Sequence, residues 1–175
     1  MRIGIDFDDT LVDTRSKCEK YFKVWDKRHY FKKLDRMGPN GWELFWTAYW
    51  DLIYKEVLFF PGVKDALLNL NAKGHTLVLI SSRYGSSSIF AINQIKDQGL
   101  PIRDYFFTGK LKSDECIKQE IDLMIDDDDT VLEDLVSHGI KCLKFGKSNR
   151  YPSCKNWYAI VDYIDKEQRR QDASN

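Results

Sequence analysis

Residues 1–14 read MRIGIDFDDTLVDT. An apolar run leads straight into three carboxylates, Asp6, Asp8 and Asp9. Acids this close repel one another unless positive charge sits among them. The stretch therefore has the form of a buried strand that delivers acidic chemistry at its C-terminal end.

Four more runs repeat the apolar part: TLVLIS (76–81), DYFFTG (104–109), IDLMID (121–126) and IKCLKF (140–145), alongside RIGIDF (2–7). Each is short and apolar on both faces, as buried parallel strands are. Helical patterns lie between them. Residues 61–73 open with Pro61-Gly62, carry Val63, Ala66, Leu67 and Leu70 at helical spacing, and stop at Gly74. Residues 86–98 and 128–138 repeat the pattern and stop at Gly99 and Gly139. Such alternation predicts an α/β fold, a doubly wound parallel sheet of about five strands.

The first interval breaks the rhythm, because more than forty residues separate the first run from Pro61. Cys18, Tyr21, Phe22 and Trp25 fall at i, i+3, i+4, i+7, and Trp42, Phe45, Trp46, Tyr49, Leu52 and Ile53 continue in the same way. A loop at Gly38, Pro39 and Gly41 is expected between them. Residues 15–56 thus form an inserted helical cap, and residues 1–14 with 57–175 form the core domain. The tail KEQRRQDASN is expected to be a fraying helix end.

Lys+Arg and Asp+Glu both number 27, giving zero net charge. That balance argues against a general nucleic-acid binder and a membrane-surface binder, which need a basic excess. Four cysteines without a CxxC pair argue against a disulfide framework or zinc site and for a reducing, cytoplasmic setting.

Every acidic cluster sits where a strand stops, the edge at which open α/β sheets bind ligands. Asp126 to Asp129 end the fourth run, as Asp6 to Asp9 end the first. If those strands are neighbours, the clusters face each other around a hard cation, and Mg²⁺ suits carboxylates that leave room for water and phosphate. Helix capping explains Asp128 or Asp129, but not acids at two strand ends. Ser81 ends the second run, where it could bond a phosphate oxygen. Lys110 and Lys112 follow the third, where a lysine would neutralise phosphate.

With these residues in order, the chain resembles the haloacid dehalogenase superfamily of phosphotransferases. Its DxDx[TV] motif matches Asp6-Phe7-Asp8-Asp9-Thr10, its strand ending in Ser or Thr matches Ser81, its lysine matches Lys112 better than Lys110, and its acid pair matches Asp126-Asp127. The resemblance implies that Asp6 is the nucleophile and Asp8 the general acid and base. It implies phosphate contacts from Ser81, Ser82 and Lys112, and a bracing role for Thr10. Mg²⁺ would be held by Asp6, the Asp8 main-chain carbonyl and Asp127, with Asp126 direct or one shell out. Asp9 would point away.

The substrate implied is a small phosphorylated metabolite. IDFDDTLVDT, the aromatic cap, LISSR and the late SNRY and NWYAIVDYI look most like nucleotidases related to 5′(3′)-deoxyribonucleotidases. Sugar-phosphate phosphatases, phosphomutases, polynucleotide 3′-phosphatases and, from another class, a non-catalytic receiver-like phosphoacceptor compete with that reading. Trp50 and Tyr54, at i, i+4 on the flank of the cap stripe, are the candidates for covering a base.

Overall fold

The computed structural model describes residues 1–22 and 39–173, with side chains described over 1–21, 48–170 and 173. Trp25 and Gly38 lie outside the described residues, as do the side chains of Phe22, Trp42, Phe45 and Trp46. The strands are β1 (Arg2–Ile5), β2 (Thr76–Ser81), β3 (Ile102–Phe107), β4 (Leu123–Asp126), β5 (Cys142–Phe145) and β6 (Ser153–Cys154). The helices are α1 (Thr14–Phe22), α2 (Pro39–Glu56), α3 (Val63–Ala72), α4 (Ser86–Asp97), α5 (Ser113–Lys118), α6 (Asp129–Ser137) and α7 (Trp157–Asp172).

One six-stranded sheet runs β3-β2-β1-β4-β5-β6, with every strand pair parallel. The chain moves outward from β1 to β3, then crosses to β4 on the other side of β1. The switch point therefore lies between β1 and β4, where Ile5 pairs with Ile125.

Period-two alternation divides the core into two layers. Ile3, Ile5, Leu77, Leu79, Leu123 and Ile125 face a large cluster shared with Leu67, Leu70, Ile160 and Ile164. Val78, Ile80 and Met124 face the second, with Leu132 and Leu135 of α6. Gly4 points into the second layer, where a Cβ would come within 2.7 Å of the Met124 sulfur. Small size at this position lets β1 and β4 pack closely.

The described residues form six strands against about five expected, because Ser153 and Cys154 add a two-residue edge to β5. Two expectations need correction. Gly41 is helical, since Pro39 opens α2; its fixed φ suits a first helical position, where its missing N–H costs nothing. Leu52 is 45% exposed, so the buried stripe of α2 passes through Ile53 instead. The C-terminal segment is a sixteen-residue helix whose Trp157, Ile160 and Ile164 are fully buried. Among the described residues no helix is long and apolar enough to cross a membrane.

Candidate active site

The loop after β1 is a tight backbone knot. Asp6 N–H donates to the Ile125 carbonyl at 3.0 Å, so pairing with β4 extends one residue beyond the strand. Leu11 and Val12 both donate to the Phe7 carbonyl, at 2.9 and 3.1 Å, and Asp9 turns the chain with a left-handed φ of 57°. Asp is among the few non-glycine residues that tolerate this region. Asp9 and Asp13 accept the N–H groups of Arg15 and Ser16 and so cap α1. The Thr10 carbonyl accepts the indole N–H of buried Trp157 at 3.0 Å, tying the loop to α7.

The ends of β1, β2 and β4 and the loop between β3 and α5 deliver side chains to the same edge. Asp6 is 5% exposed, Ser81 1%, Lys112 2% and Asp126 1%. Lys112 immediately precedes α5, and its ammonium donates to Asp6 Oδ1 at 2.5 Å and to Asp126 Oδ2 at 2.7 Å. Burial alone would discharge this lysine, but the two carboxylates outweigh it and hold the ammonium protonated. Lys110, by contrast, is exposed and lies 3.5 Å from Asp128.

Oxygens of Asp6, Asp126 and Asp127 all lie within 4.8 Å of one another. Burial first, then the charges of Asp126, Asp127 and Asp8, push the Asp6 carboxyl up against the opposing pull of Lys112. Burial and Asp126 push Asp127 up to about 7. One ammonium cannot neutralise three carboxylates, and an all-oxygen set with this deficit of positive charge fits a hard divalent cation. Lys144 steadies the β4 loop by donating to the Asp127 carbonyl at 2.8 Å and to Asp129 at 2.5 Å. Asp128 caps α6 by accepting the Thr130 N–H at 2.7 Å.

The remaining expected residues fall as follows. Thr10 Oγ1 lies 3.5 Å from Asp127 Oδ1, a long contact. Ser81 Oγ accepts the Arg83 N–H at 3.3 Å, whereas Ser82 is exposed beside it. The Asp8 side chain is not part of the group formed by Asp6, Asp126 and Asp127. Both its oxygens accept from Arg83, and Oδ1 also accepts from Thr14. Tyr54 lines a cavity of about 330 Å³ with Asp8, Thr14, Ser82 and Arg83. Trp50 packs on Tyr54 and on Phe90 of α4, at ring separations of 6.3 and 6.0 Å.

Arg83 and Thr14 escaped the sequence reasoning. The arginine stands in the quoted LISSR, but nothing in a single sequence tells a buried arginine from the usual solvated one. Position was the available signal: two residues past a strand end that already carries a site serine.

No family model matches the chain. It is similar along nearly its whole length to two bacterial proteins. One, named "Putative nucleotidase", is from Bacillus cereus, 29% identical over 95% of this chain and 100% of that one. Another of that designation, from Oceanobacillus iheyensis, is 24% identical over 97% of this chain and 99% of that one. Among solved structures the chain is similar to a haloacid dehalogenase-like family hydrolase from Xanthomonas campestris, with a TM-score of 0.66 at 17% identity over 98% of this chain and 94% of that one. The chain has the haloacid dehalogenase fold, in line with the resemblance drawn from its ordered motifs.

Proposed function

We propose that this protein is a phosphomonoesterase working through an aspartyl-phosphate on Asp6, with nucleoside monophosphates as its substrates. The observation that carries the reading is the buried Lys112, shared at 2.5 and 2.7 Å between Asp6 and Asp126 at the switch point of the sheet. An ammonium there opposes the burial that pushes the Asp6 carboxyl up and meets the charge that gathers on a transferring phosphoryl group. The nucleotide part of the proposal is supported by the names of the two bacterial relatives.

In the first half-reaction an Asp6 oxygen attacks phosphorus and the bond to the leaving oxygen breaks, that oxygen taking a proton from Asp8. In the second, Asp8 takes a proton from water as the water oxygen bonds to phosphorus, releasing phosphate and free Asp6. Asp9, held on α1, takes no part. Lys112, Ser81 and Ser82 bind the phosphoryl oxygens, and Thr10 braces the loop. Asp6, Asp127 and the Asp8 carbonyl, with Asp126 beside them, would hold Mg²⁺, which when bound screens phosphate from the carboxylates. Residues 15–56 act as the cap and the remainder as the core domain.

A second reading, hydrolysis of smaller esters such as sugar phosphates, draws on the size of the cavity beside Asp8. At about 330 Å³ it lies at the low end of ligand sites. A phosphate-release panel of nucleotides and sugar phosphates with Mg²⁺, using Asp6→Asn as the blank, decides between them. Release above the blank from nucleoside monophosphates supports the proposal. Release confined to sugar phosphates transfers it to the second reading, and no release from any ester refutes both.

A further inference from the structure

Asp8 has a partner outside the strand-end motifs. Arg83 is 3% exposed, so its guanidinium is a charge withdrawn from water, and such charges persist only when paired. Asp8 supplies the pairing. Nε of Arg83 donates to Oδ2 at 2.7 Å and Nη2 donates to Oδ1 at 2.7 Å. This two-pronged geometry is open to a planar guanidinium and closed to an ammonium. Two aromatic rings hold the fork in its plane: the guanidinium carbon lies 4.5 Å from the ring centre of Phe7 and 3.7 Å from that of Tyr54. Phe7 belongs to the motif loop and Tyr54 to α2, so the loop and the helix both brace the arginine. Gln94 of α4 further fixes this end of α2 by donating to the Tyr54 carbonyl at 3.0 Å.

An ionised carboxylate offers about four lone-pair positions. Asp8 Oδ1 accepts from Arg83 and from the Thr14 hydroxyl, and Oδ2 accepts from Arg83. One position remains, on Oδ2. The side chain is 30% exposed and lines the cavity together with Thr14, Tyr54 and Arg83.

We infer that Arg83 is the positioning residue for Asp8, fixing the carboxyl with Thr14 so that the one open position on Oδ2 serves the leaving oxygen. The inference rests on the phosphomonoesterase reading. Asp8 enters the step protonated at that open position on Oδ2, and this proton passes to the leaving oxygen as its bond to phosphorus breaks and the Asp6 oxygen bonds there. The same Oδ2 then takes the proton of the water that displaces Asp6. Arg83 exchanges no proton, since a guanidinium is not deprotonated in proteins. Its contribution is to prevent rotation of the carboxyl, and that matters most where the leaving group most needs protonation.

Arg83→Lys keeps the charge and loses the fork; Thr14→Val removes the third donor and keeps the shape. For both variants and wild type, kcat and KM are measured with Mg²⁺ on an alkyl monophosphate and on p-nitrophenyl phosphate, together with the melting temperature. Arg83→Lys is expected to lower kcat on the alkyl ester about a hundred-fold or more, within the range of general acid catalysis, and on the aryl ester about ten-fold or less. KM should stay within about two-fold, as expected when ground-state binding is untouched. Thr14→Val should show the same bias toward the alkyl ester at smaller size. Equal losses on both esters, or a raised KM with kcat retained, would overturn the inference and make Arg83 a structural or substrate-binding residue. If Arg83→Lys fails to give a cooperative melt, the alkyl bias of Thr14→Val decides alone. A wild-type chain releasing phosphate from no ester brings down the phosphomonoesterase reading and this inference with it. Equal losses in an active chain whose Asp6→Asn variant is dead remove the inference only.

Discussion

Asp127→Asn is the perturbation whose size follows most directly from the acidic cluster. The wild-type carboxyl is pushed from 3.8 up to about 7, by burial first and then by Asp126. A group whose folded pKa is raised adds stability that is fully present below its unfolded pKa and is lost as pH rises through the folded one. Without metal, Asp127 therefore weakens the fold progressively between about 4 and 7. One pH unit within that window is worth at most about 1.4 kcal/mol, and less near 7 where the group is half ionised, so raising pH from 5 to 7 costs wild type about 2 kcal/mol through this side chain. In Asp127→Asn, which imitates the protonated acid, that loss is gone. In a domain of this size each kcal/mol moves the melting temperature by about 2–4 °C. The assay is paired thermal melts of wild type and variant in EDTA between pH 5 and 8, repeated with Mg²⁺. In EDTA the variant should gain on wild type by about 4–8 °C as pH rises from 5 to 7. With Mg²⁺ at pH 8 the order should reverse, because the cation binds the folded wild type. A difference that stays flat with pH in EDTA, with no Mg²⁺-dependent gain in wild type, would refute the charge-deficit argument for a cation at Asp6, Asp126 and Asp127.

Other outcomes follow from single contacts. Lys112→Ala should abolish most turnover and cost about 3–5 kcal/mol by leaving two buried carboxylates unpaired, while Lys110→Ala should be mild; kinetics and melts of the two variants check the ranking, and the reverse order would misplace the lysine. Asp8→Asn should cost about 10²–10⁴-fold on alkyl phosphates and less on an activated aryl phosphate, and equal losses would count against its proton-transfer role. Trp50, packed on Phe90 and Tyr54, should on change to Ala lower the melting temperature and leave the KM ratio between nucleoside monophosphates and aryl phosphates unchanged. A selective rise of about ten- to a hundred-fold for the nucleotides would assign it to base stacking instead.

Much of the site was legible because its residues are tied to strand ends, and strand ends are marked by where apolar runs stop. Asp6, Ser81 and Asp126 lie at such stops, with Lys112 further on in the loop between β3 and α5, and the β1–β4 neighbourhood that joins the two acidic groups follows from doubly wound topology. The choice of Lys112 over Lys110 came from the interval to Asp126, and Lys112 is the one buried against Asp6. Arg83 was not legible for a physical reason. Its burial depends on Phe7 and Tyr54 converging from distant parts of the chain, and no local pattern encodes that sandwich. The helix at Trp157–Asp172 is legible at its end, where the tail is expected to be helical, and less so at its start: Trp157, Ile160 and Ile164 keep helical spacing, but polar neighbours dilute the stripe. Leu52 fits the period of its helix and is nonetheless exposed, because periodicity identifies a face without fixing how far the neighbouring layer extends over it.

The central claim is that phosphate passes through the side chain of Asp6. Borohydride quenching during turnover of a nucleoside monophosphate with Mg²⁺ reduces an acyl phosphate to an alcohol, so peptide mass spectrometry should find homoserine at position 6. The account predicts that product at position 6 alone, dependent on substrate and absent from Asp6→Asn. Sustained phosphate release with position 6 unmodified, or with the reduced residue at Asp8 or Asp126, would contradict it.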